Sequence, residues 1–146
     1  MPYPELDTER MELLAVIHPD LHQGTYYTPW IDMSGRHKAL AVLLVGDIGQ
    51  AGTVDLELQE ATDALGTGGA AIAGKAITQL TQAGGDGDDA CAINLRTEEM
   101  NAAANYSHIR ARLDVLVASA NVSLLILGNV PRYAAVAQAA WTEAVV

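Results

Sequence analysis

Along residues 53–61 the apolar side chains Val54, Leu56 and Leu58 alternate with Asp55, Glu57 and Gln59. A period of two places one set in a core and the other in water, as in a half-buried antiparallel strand. The same rule reads residues 106–117. Ile109, Ala111, Leu113, Val115 and Val117 fall on one side, and His108, Arg110, Arg112 and Asp114 on the other. A helix fits less well, because charges at every second residue do not gather on one side of a 3.6-residue wheel.

Shorter apolar runs fill the rest: ELLAVIHP, TYYTPWIDM, KALAVLLVGD, AAIAGKAITQLT, CAINLR and VSLLILG. Turn formers separate them, at Gly24, Ser34 and Gly35, residues 46–52, 65–69, 84–89 and 119–121. About eight strands at short spacing predict an all-β antiparallel sandwich or barrel. Helical signals are confined to TEEMNAAAN and the Ala-rich tail AAVAQAAWTEA.

With 146 residues the chain is expected to form one domain. Its sandwich core spans about residues 12–130, flanked by arms at 1–11 and 131–146 that do not fit the strand count. The formal net charge of -10, without any Lys/Arg run, argues against nucleic acid and anionic lipid as partners. The longest apolar run, residues 39–45, is too short for a membrane span. The acidic start PELDTE does not read as a secretory signal, so synthesis in the cytoplasm is expected and the N-x-S matches at Asn105 and Asn121 are coincidental. A single cysteine, Cys91, excludes an internal disulfide and reads as a small core side chain.

The segment from Gly69 through Gly74 and Lys75 to Ala76 matches a phosphate-binding loop except at its last position, where Ala76 replaces the hydroxyl that holds Mg²⁺. A working loop also needs a strand before it and a helix after it, whereas a polar turn precedes this one and AITQLTQ, rich in β-branched residues, follows. The expectation is a strand in which Gly74 permits a bulge and Lys75 is solvated. Asp86, Asp88 and Asp89 lack the EF-hand spacing and read as a solvated hairpin tip. His18 and His22 stand four apart, but Pro19 disrupts the helix that would align them on a metal. No catalytic, cofactor-binding or metal-ligating residue is therefore assigned, and an enzyme is not expected.

The succession TVDLELQEATD, IAGKAITQLT and YSHIRARLDVLVASANVSLLILG, followed by Arg132 and Tyr133, resembles small structural proteins of tailed bacteriophages and prophages, over about residues 30–136. The resemblance implies a virion component without cofactors, with a jelly-roll-like sandwich as in capsid decoration (cement) proteins. It implies as partners the major capsid protein and further copies of the chain, as dimer or trimer, and a place on the outer capsid surface. The alternative within the virion is a head-tail connector, tail or fibre-associated protein; nucleotide binding through the loop at Gly69 to Ala76 is the distant one. Large aromatics dominate interfaces, so Tyr3, Trp30, Arg132, Tyr133 and Trp141 are the contact candidates, with core packing the competing role for Trp30.

Titration with Mg²⁺-ATP is expected to leave the melting temperature unchanged; a rise with ligand concentration would restore the nucleotide reading.

Overall fold

The computed structural model describes residues 10–129. It is all-β and antiparallel, with eight strands: β1 (Met11–Tyr27), β2 (Ile31–Asp32), β3 (Lys38–Ile48), β4 (Thr53–Ala61), β5 (Ala70–Ala76), β6 (Leu80–Thr81), β7 (Ala90–Arg96) and β8 (His108–Asn129). Two short 3-10 turns lie between β7 and β8.

The central strand is β8. On one side β1 follows it from Met11↔Asn129 to Tyr27↔Arg112, and β2 continues to Asp32↔His108. On the other, β3 pairs with its second half and β4 with its first. Outside these lie β7 on β3 and β5 and β6 on β4. The eight strands thus form four long antiparallel lanes: β1–β2, β8, β3–β4 and β5–β6–β7.

This ribbon must be doubled over. Asp32 sits level with His108 and Lys38 sits beside Asn129, at opposite ends of β8. A straight strand of that length would span about 70 Å, while the connection from residue 32 to 38 reaches about 20 Å at most. The two ends of β8 are therefore close, and each lane is broken at the same level: at Gly24 (φ 123°), Val117 (φ 70°), Ala51 (φ 60°) and Gly85 (φ 76°).

Across the fold-over the inward parity changes. Ile109, Ala111, Leu113 and Val115 are buried before it, and Ala120, Val122, Leu124 and Ile126 after it. In the next lane Ala39, Ala41, Leu43 and Val45 give way to Val54, Leu56 and Leu58. Irregular residues at the bend shift the side-chain phase by one. Val117, expected on the core side, is instead 71% exposed. All these buried residues belong to one core between the half-sheets.

At the bend two lanes nearly touch. The Gly49 amide donates to the Ser119 carbonyl at 2.9 Å, and a Cβ on Gly49 would lie 2.8 Å from that oxygen and 2.9 Å from the Ala118 Cβ. At the open end two buried carboxylates hold the connectors. Glu12 accepts from Arg36 Nη2 at 2.5 Å, securing residues 33–37, and Glu60 accepts from the Asn101 amide at 3.1 Å, securing residues 97–107.

The outer strands approach to give a nearly barrel-shaped, jelly-roll-like body. Lys75, expected to be solvated, bridges them: its ammonium donates to the Asn94 carbonyl at 2.8 Å and pairs with Glu99 at 3.0 Å, with the side chain 17% exposed. Gly74 (φ 74°) sits in an irregular stretch of β5, where the register to β4 slips between Glu57 and Gln59, as the sequence predicts. Cys91 is partly buried and packs against the core.

Gly49→Ala is expected to cost about 1–3 kcal/mol through the forced clash, seen as a lower urea midpoint; an unchanged midpoint would show that the lanes separate freely there.

Candidate interaction surfaces

The two half-sheets present outward faces of opposite character. On the face of β4 and the first half of β8, polar side chains form a continuous chain of contacts. Thr25 Oγ1 donates to Asp114 Oδ1 at 2.6 Å, and Asp114 pairs with Arg112 at 3.1 Å. Arg112 lies 3.7 Å from Glu57, which accepts from Gln59 Nε2 at 2.8 Å. Arg110 Nε donates to Gln59 Oε1 at 2.8 Å. Its guanidinium lies 4.0 Å from the Tyr27 ring centroid and 4.5 Å from that of Trp30. At partly exposed sites such cation–π contacts are worth about 0.5–1 kcal/mol each.

Trp30 is thus a half-buried member of this polar face and not of the core. Its indole packs on the loop of residues 62–69, where a Cβ on Gly66 (φ 84°) would come within 2.7 Å of Nε1. Asp63 organises that loop: Oδ1 accepts from the amides of Leu65 at 2.9 Å and Thr67 at 3.1 Å. Hydrogen bonds from Thr67 hold its carboxyl below the ordinary value of 3.8. The depressed value means that the carboxylate's contribution is complete above 3.8 and is lost as pH falls through the lower folded-state value.

The other face, on β1, the second half of β8, β3 and β7, is apolar. Register aligns Leu13, Leu127, Leu40 and Asn94 in one row across the four strands. Val16, Leu125, Val42 and Ala92 form the next. Ser123, Leu44 and Ala90 continue it on three strands. None of these side chains is charged, none belongs to the core cluster, and Leu44 is 48% exposed.

Charge appears only at the ends of this face. At the open end Lys38 and Arg96 are direct cross-strand partners, flanking a shallow groove of about 460 Å³ with Leu40 and Leu127 in its wall. At the bend a second groove of about 530 Å³ is lined by Asp20, Leu44 and Ser123. Asp88 lies beside it, its amide donating to the Gly46 carbonyl at 3.1 Å.

Tyr3, Arg132, Tyr133 and Trp141 lie outside the described residues. The structure brings Trp30 together with Tyr27 and Arg110, an association that alternation alone does not reveal. The residues 69–76 form a turn and strand β5, followed by β6 and not by a helix. His22 Nε2 lies 3.0 Å from the His18 carbonyl within β1, and its ring meets Tyr26 edge-on at 4.7 Å. Among the described residues, no three or more His, Cys, Asp or Glu side chains are grouped to hold a metal ion.

No protein-family model matches the chain, and no curated protein matches it significantly. Among solved structures, a chain in the structure of infectious bursal disease virus Gx strain is similar at 13% identity with a TM-score of 0.43, over 85% of this chain. The alignment covers 33% of that chain, so this chain spans about a third of its length.

In a Trp141→Phe background, where Trp30 is the remaining tryptophan, Gly66→Ala should red-shift the emission and cost about 1–3 kcal/mol through strain at positive φ; an unshifted spectrum would detach Trp30 from the loop.

Proposed function

We propose that this chain is a structural protein of a virion, a decoration protein that covers the outer surface of a tailed-phage head and braces it across capsomer joints. The observation that carries this reading is the two-faced sandwich. One sheet face is tied together by its own ion pairs, and the other is apolar, charge-free and suited to burial against another subunit, so that capsid attachment falls to the terminal segments. A subunit of this kind works by surface contact repeated over a symmetric lattice, where modest interfaces multiply. It acts without catalytic groups or cofactors.

The net charge of -10 favours an outer position, away from packaged DNA, and favours colloidal separation of particles. The major capsid protein is the proposed partner, with the terminal segments at residues 1–11 and 131–146 contributing attachment. The alternative is a head-tail connector, tail or fibre-associated subunit, which would use similar surfaces at a single vertex.

Quantitative mass spectrometry of purified virions against the major capsid protein tests this. A ratio near one, or a simple fraction such as about one-third, is expected from a shell-covering lattice; a ratio of a few per cent would place the chain at the neck or tail, and absence from particles would overturn the proposal.

A further inference from the structure

We infer that the uncharged face of β1, β3, β7 and β8 is the interface of a two-fold homodimer, packed face to face with the strands of the two copies running in opposite directions. The occupant is a second copy because the face is complementary to itself in that one orientation.

Lys38 and Arg96 stand directly opposite each other at the open end of the face, both exposed. Like charges so placed destabilise a lone sheet, and the exposed Glu98, 3.7 Å from Arg96, offsets only one of the two. The far end carries the opposite sign, with Asp20 lining its groove and Asp88, on the outward phase of Ala90, just before β7. A two-fold axis lying in the interface and running across the strands reverses strand direction while keeping each lane over its own counterpart. Arg96 then meets Asp88 of the second copy, and Lys38 falls over Gly46, whose carbonyl accepts from the Asp88 amide.

On the β1 side the same operation brings together Met11, 39% exposed, and Leu21, 60% exposed, from opposite ends of the lane. Val42 and Leu125, partners in the middle row, fall near the axis. An axis running along the strands would instead stack Lys38 on Lys38. The apolar rows meet at the usual spacing of about 10 Å between packed sheets, without burying a charge.

The extent of the face sets the strength. Four strands of about eight residues cover roughly 500 Å², less than the roughly 800 Å² per partner of a standard stable interface. The dimer is therefore weak and concentration-dependent.

Sedimentation equilibrium of the full chain is the test, with circular dichroism confirming that each variant is folded. A monomer–dimer equilibrium is expected. Val42→Lys should weaken it at least about tenfold, as loss of one well-buried contact of about 1.4 kcal/mol requires. Lys38→Glu with Arg96→Glu should also weaken it, and adding Asp88→Lys in the same chain should restore part of the loss.

A chain monomeric at all concentrations, including one whose face is covered by its own terminal segments, would overturn the inference. So would a dimer indifferent to Val42→Lys, or a trimer. Because the purified chain alone is measured, failure here is distinguishable from absence of the chain from virions.

Discussion

The structure depends on one constraint: four antiparallel lanes must turn over at the same level and still present apolar side chains inward on both sides of the turn. Strand alternation alone cannot do this without adjustment, because an irregular residue at the bend changes the phase of every residue beyond it. In β8 the buried set passes from odd to even numbers across Val117, and β3–β4 makes the same change between Val45 and Ile48, where its register to β8 also shifts. The lanes bend together because they are hydrogen-bonded, with Gly49 seated against Ser119 where side chains would force them apart.

Closing the doubled ribbon creates the other features. Its free ends meet, and two acids at inward positions, Glu12 and Glu60, hold the connectors that cross there. Its outer edges meet, and Lys75 spans them to reach Asn94 and Glu99. A Lys–carboxylate pair that also satisfies a backbone carbonyl limits exposed strand edge, the part of a sheet most prone to unwanted pairing. With core and edges closed, the outward faces differ: one is bound up in its own ion pairs, and the other has an apolar surface that no charge within its rows protects.

The alternation in residues 53–58 and 109–115 was legible because each strand buries one face, and the all-β class followed from it. The extent of the strands was not. Gly24 and residues 119–121 carry turn chemistry and read as ends, whereas hydrogen bonding to neighbours continues past them in β1 and β8. Lys75 could not be read as a bridge, since Asn94 and Glu99 approach only when the ribbon closes. Glu60 continues the inward phase of Val54, Leu56 and Leu58, a signal visible in the sequence but masked by its charge. The apolar face left a trace in residues 39–45, where Leu40, Val42 and Leu44 are as apolar as the inward residues between them. Such a run reads equally well as a strand buried on both sides. Trp30 was open to both roles, and the Gly66 contact places it on the polar face.

Amide hydrogen exchange along β8 tests the doubled ribbon most directly. Paired on both sides in both halves, the strand should show one common opening free energy for residues 109–115 and 120–126, with faster exchange confined to the bend at 116–119. Markedly earlier exchange of either half would mean that the two half-sheets open independently, which contradicts a single ribbon folded around one core.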